Sequence, residues 1–163
     1  MNASDAAYIS AFYHELGHFY HYCERGASVF NEIQRFIKES FASYAGDYLG
    51  RNYYAQYGKT FPENSSDMYQ GWQGWMIEDD DLHIHYTPLF VDLFDNYNQN
   101  ISYSDRCPSD VISNFSHEAM LRIARDCYDW TSCKQILQSY VGEFYTQSEL
   151  NTNLSDYNFR FGN

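Results

Sequence analysis

Apolar residues recur at helical intervals along most of the chain, and no strong strand pattern competes with them. The first predicted helix runs from about Ser4 or Asp5, either of which can cap it, to Arg25, with Gly26 placed to end it. The second starts after Ser28 and reaches about Tyr57. Its apolar positions Phe30, Ile33, Ile37, Phe41, Tyr44 and Tyr48 step at helical spacing, and Gly58 follows. Residues 59–82 are polar, contain Gly and Trp, and end in the acidic run Glu78–Asp81. They read as a long loop with room for a short helix at Asp67–Gln73, and loops of that length inside a domain tend to carry function. Thr87 and Pro88 form an N-cap and N1 pair ahead of a helix from Leu89 to Asn98. Ser116 caps another through about Cys127, and Thr131 caps a last one through about Val141. The end of the chain, rich in Asn, Asp and Ser, reads as irregular. The expectation is a mainly α protein forming a single domain over residues 1–163. It divides into a helix pair (1–58), a loop (59–86), a helical C-terminal part (87–145) and an irregular tail (146–163).

Composition changes that picture little. With 163 residues the chain has the size of one ordinary domain and can bury a core without disulfides or a structural metal. Aromatics make up 20% of it, with 17 Tyr and 12 Phe, which predicts a core and surface rich in amphipathic rings. Charge says more. A formal net charge of −12 repels phosphate backbones and anionic lipid, so neither nucleic acid nor a membrane surface is an expected partner. The same field attracts divalent cations and basic peptides. No apolar run is long enough to span a bilayer, and the first residues show neither the basic nor the apolar region of a signal peptide. The four cysteines, Cys23, Cys107, Cys127 and Cys133, match no zinc-finger spacing. One disulfide among the last three and buried reduced thiols are both open. The Asn-x-Ser triplets at Asn64, Asn100 and Asn114 are expected by chance in so Asn- and Ser-rich a chain.

The candidate chemistry lies in the first helix, in the pentapeptide His14-Glu15-Leu16-Gly17-His18. Residues four apart share a helix face, so His14 and His18 can chelate one ion. Imidazole and carboxylate ligands suit Zn2+, and Glu15 beside it is placed to move protons. Ala7, Ala11 and Gly17 keep this helix slim enough for another backbone to approach. Glu39, on the second helix, is the expected third ligand, because Ala42, Ser43 and Gly46 follow it at helical spacing. Glu32 is the fallback and Asp47 a weaker one. Glu24 occupies the third-ligand position of the metzincin pattern. His21 stands where that pattern needs Gly, so the helix continues and carries Glu24 about 240° round from His18. His21 is expected in packing or behind the ligands, and His117 is read as surface without a role.

The segment His14–Gly50 resembles the gluzincin metallopeptidases, in which HExxH is followed by a Glu on a second helix. HELGHFYH, followed by KESFASYAG at Lys38–Gly46, is especially similar to the oligopeptidase F and thimet oligopeptidase group. The resemblance covers about a quarter of the chain. It implies a helical zincin-like catalytic subdomain, with the HExxH helix packed on a Glu-bearing helix and a C-terminal helical bundle. It implies zinc on His14, His18 and Glu39, Glu15 as general base, and a peptide or protein substrate. Such enzymes also need a donor for the tetrahedral oxyanion, for which His83, His85 and Tyr86 are the candidates. Two departures stand out. Only 13 residues precede His14, so an upstream domain or partner chain is expected to supply the substrate-pairing sheet. And Ser43 replaces the Asp that thermolysin-like members place four residues after the ligand Glu. The alternative expectation is an incomplete zincin-like module that binds without catalysing.

Overall fold

The structure, a computed structural model, describes residues 3–61, 87–96 and 108–161. Among them are six helices and no extended strand: α1 (Ala3–Glu32), α2 (Arg35–Gln56), α3 (Leu89–Phe94), α4 (His117–Asp126), α5 (Trp130–Ser139) and α6 (Gln147–Phe161). The expectation of a mainly α protein holds. No described helix is long and apolar enough to cross a membrane.

Gly26 breaks α1 as its sequence predicts. Its φ of 75° and ψ of 160° lie where a side chain would be strained, and the chain resumes a helical path only as far as Glu32. The second helix therefore starts later than its periodicity suggests. Gln34 leaves the helical path because it is tied to the turn between α4 and α5. Its amide donates to the Tyr128 carbonyl at 2.8 Å, and its Oε1 accepts from the Trp130 amide at 3.0 Å. α2 then runs unbroken to Gln56, and Gly58, with φ of 61°, turns the chain away.

α1 and α2 lie against each other at backbone distance. A Cβ placed on Gly17 would come within 3.0 Å of Ala42 Cα and Ala45 Cβ, and one on Gly46 within 2.8 Å of the Ser10 carbonyl oxygen. The opposite side of α2 supplies the main core. Phe36, Ile37, Phe41 and Tyr44 pack there with Leu89, Phe90 and Leu93 of α3, Met120 and Ile123 of α4, Leu137 of α5, and Leu150, Leu154 and Tyr157 of α6. A smaller cluster of Ala6, Tyr54 and Phe61 closes the far end of the α1–α2 pair.

Three C-terminal expectations need correction. The helix from Leu89 ends at Phe94, where Asp95 turns extended, and Pro88 stands at the N-cap instead of N1. Thr87 still serves this start: its Oγ1 accepts from the Leu89 amide at 3.4 Å, and its own amide donates to Ser40 Oγ at 2.8 Å, fixing α3 to α2. α5 is capped by Asp129, not Thr131. Asp129 Oδ1 accepts from the Ser132 amide at 2.7 Å, and Ser132 Oγ accepts in return from the Asp129 amide at 3.0 Å. The tail expected to be irregular is α6. Thr146 and Glu149 form a capping box at its start, with the Glu149 amide 3.2 Å from Thr146 Oγ1 and the Thr146 amide 2.8 Å from Glu149 Oε2. Two of its polar residues, the buried Asn153 and the half-buried Asp156, accept from the segment before α4. Asn153 Oδ1 takes the Val111 amide at 3.0 Å, and Asp156 Oδ2 takes the Ser109 amide at 2.9 Å.

Candidate metal centre

The close approach of α1 and α2 sets the distance at which their side chains meet. Gly46 sits across from His14 (a Cβ on it would reach the His14 Cβ at 3.4 Å), and the imidazoles of His14 and His18 meet α2 about two turns before it. Glu39 stands there. His14 Nε2 and His18 Nε2 are 3.2 Å apart, and Glu39 Oε2 lies 3.3 Å from the first and 3.1 Å from the second. Among the described residues this is the single group of three or more His, Cys, Asp or Glu side chains able to share an ion.

Hydrogen bonds cannot satisfy that triangle. If both Nε2 atoms carry protons and donate to Glu39, two donors face each other at 3.2 Å. If one is deprotonated to accept from the other, its link to the carboxylate is lost. A cation at the centre satisfies all three at once. Ligands at roughly 2.0–2.1 Å in tetrahedral arrangement lie about 3.3 Å apart, close to the edges seen here. The donor set of two neutral imidazoles and one carboxylate oxygen therefore fits a tetrahedral divalent ion. The three side chains are 17–19% exposed, so the site is walled by protein on one side and open on the other. Burial pushes the Glu39 carboxyl up, but the polar contacts of its carboxylate with the His14 and His18 rings outweigh it and hold its pKa below the ordinary value. Arg35 approaches the other carboxylate oxygen at 3.9 Å from an exposed position.

The structure brings three of the expected residues together and sorts the rest. Glu15 lies at the exposed rim of α1, about 100° round the helix from His14. Its neighbours on the helix surface include Phe12 and Phe19, which are 65% and 60% exposed. Glu32, the fallback ligand, ends the helical stretch before the Gln34 break and so is not on α2 at all. Asp47 is engaged by Arg51 at 2.8 Å. Glu24 is exposed and outside the group. His21 is a packing residue: fully buried, it lies against Phe41 and donates from Nε2 to the Ala124 carbonyl at 2.9 Å. Burial lowers its pKa to about 4, so it stays neutral. His117 is not plain surface. It stacks on Tyr48, hydrogen-bonds through Nδ1 to Tyr44 Oη at 3.0 Å, and has its pKa lowered by burial. Behind the ligands, His18 Nδ1 and Ser43 Oγ are both buried without a hydrogen-bond partner. His83, His85 and Tyr86 lie outside the described residues.

The exposed ring stripe on α1, Tyr8, Phe12, Phe19 and Tyr22, went unremarked in the sequence, although its three-, four- and seven-residue steps were readable there. Compared with known proteins, the chain matches no family model, no curated protein and no solved structure.

Proposed function

We propose that this chain carries a zinc centre of gluzincin type for peptide hydrolysis. The carrying observation is the convergence of His14 Nε2, His18 Nε2 and Glu39 Oε2 within hydrogen-bond distance of one another, from two helices and across 21 residues of sequence. Zinc, when bound, supplies a Lewis acid that makes water a nucleophile near neutral pH. The chain's own residues do the rest. His14 and His18 would hold the ion from one helix face, and Glu39 would bring negative charge to it from the second helix. Glu15, next in sequence to a ligand and free to reach solvent, takes the proton of the attacking water and returns it to the leaving amine. The acidic balance of the chain favours basic peptide substrates. In this reading α1 and α2 are the core of a zincin-like subdomain; the candidates for the oxyanion donor, His83, His85 and Tyr86, lie outside the described residues.

A second reading, a zincin-like module that holds its ion without catalysis, is favoured by the outer face of α1. Tyr8, Phe12 and Phe19 stand in solvent beside Glu15, as on a surface made to be covered by an upstream domain or partner chain. Glu15→Gln separates the two. The substitution keeps the size of the side chain and removes its basicity. Under the first reading zinc content is unchanged and cleavage of a mixed peptide library falls at least a hundredfold. Undiminished turnover in that variant removes Glu15 from the mechanism.

A further inference from the structure

Two of the four cysteines meet in the core. Cys127 forms the C-cap of α4, and Cys133 sits in the first turn of α5. Both are fully buried in the same core cluster, at the two ends of one short turn, and both are free thiols. The turn between them is tightly held. The Tyr128 and Asp129 amides donate to Ser132 Oγ at 2.9 and 3.0 Å, and the Cys133 amide donates to the Asp129 carbonyl at 3.0 Å. Gln34 binds the same turn from outside through the Tyr128 carbonyl and the Trp130 amide. The backbone thus holds the two cysteines at fixed positions on either side of one turn, inside one core cluster.

We propose that Cys127 and Cys133 form a structural disulfide when the chain folds in an oxidising environment, a staple across the α4–α5 turn. The reaction is thiol–disulfide exchange with a small disulfide such as oxidised glutathione. One cysteine thiolate attacks the oxidant's S–S bond, releasing one glutathione and leaving a mixed disulfide. The other cysteine then displaces the second glutathione. The two electrons and two protons lost by the pair end on two molecules of reduced glutathione. Burial pushes the Cys133 thiol well above its ordinary range, with Cys127 and Asp129 acting in the same direction. An enclosed, protonated thiol is a poor nucleophile, so exchange belongs to folding, before the core closes. Cys23 is exposed on α1 and stands apart from this pair.

The turn that carries the pair is joined by hydrogen bonds to both ligand-bearing helices. His21 of α1 is bonded to Ala124, three residues before Cys127, and Gln34 at the head of α2 is bonded to the stapled turn. The proposal does not depend on the zinc reading, and its test can fail or succeed without it. Arg125 and Lys134 bracket the pair, so trypsin releases Asp126–Lys134 with both cysteines in one peptide. The wild-type protein is unfolded and reduced, refolded in a glutathione redox buffer, blocked with iodoacetamide in denaturant, and digested without reduction. The expected peptide is unalkylated and lighter than its reduced form by two hydrogen atoms. Reduction of the intact protein should lower its melting temperature by about 5–10 °C, the value for closing so short a loop in a chain of this size. A doubly alkylated peptide, a cross-link to any other cysteine, or an unchanged melting temperature after reduction would overturn the staple.

Discussion

Asp92 and Asp110 show how far burial alone moves a side chain from its ordinary behaviour. Asp92 is fully buried on α3, where its Oδ2 accepts from Tyr157 Oη at 2.8 Å, and Asp110 is nearly as enclosed on the segment before α4. Burial is the main cause that raises both. The charge of Asp110 raises Asp92 further, and Asp110 itself is pushed up to about 8. In the unfolded chain such carboxyls titrate near ~4. Between ~4 and ~8 the folded protein therefore holds protons that the unfolded chain has released. Stability from this pair is full at the acid end and is lost as pH rises toward about 8. Glu39, held low by its histidines, contributes in the opposite sense, and only at more acid pH. His21 and His117, both lowered by burial, act in the opposite sense below the ordinary histidine range and are common to wild type and variant, so the prediction is a difference: between about pH 5 and about pH 8 the urea-unfolding free energy of the wild type declines relative to that of Asp110→Asn. An equal slope in that variant would contradict it. At this scale the sequence was uneven. His14 and His18 were legible because the ligand chemistry demands a fixed spacing, and Glu39 because small residues follow it. Asp92, Asp110 and Asn153 were not, because a polar residue reads as surface unless its buried partner, distant in sequence, is known.

Among elements, the α1–α2 contact positions the site and was the most legible, because Gly17, Ala42 and Gly46 have no other reason to line facing helices. Gly46→Ala puts a methyl 2.8 Å from the Ser10 carbonyl oxygen, which is backbone and must move. The expected cost is about 1–3 kcal/mol in chemical denaturation, together with weaker zinc binding, because His14 sits on the displaced backbone. Wild-type zinc affinity in that variant would show that the helix spacing does not set the site. α6 was the least legible element. Its Asn- and Asp-rich composition hid the Thr146–Glu149 capping box and the buried steps Leu150, Leu154 and Tyr157. Those residues close the core, so Leu154→Ala should cost about 2–4 kcal/mol, read as a lower urea midpoint at unchanged slope. A neutral result would mean that α6 does not pack as described. The late start of α2 has a tertiary cause, the Gln34–Tyr128–Trp130 bonds, which no local pattern announces, whereas the Asp129 cap is local and closed by Ser132 three residues on.

For the molecule as a whole, helical class and the pairing of its first two helices followed from period and punctuation. How α3 to α6 gather behind α2 did not, because nothing local fixes which apolar faces meet. That assembly leaves one side of α2 to the core and the other to α1 and the triad. An ion bound there ties together helices whose ligands lie 21 residues apart, and it binds only when both are folded. Zinc should therefore raise the melting temperature in a concentration-dependent way.

The measurement that tests the zinc centre most directly is elemental mass spectrometry of the purified protein, with and without added zinc at neutral pH, beside His14→Ala/His18→Ala and Glu39→Ala. The expected result is one zinc per chain in the wild type, weaker retention in Glu39→Ala, and none in the double variant. A wild type that takes up no zinc, or a double variant that keeps a full complement, would contradict the assignment.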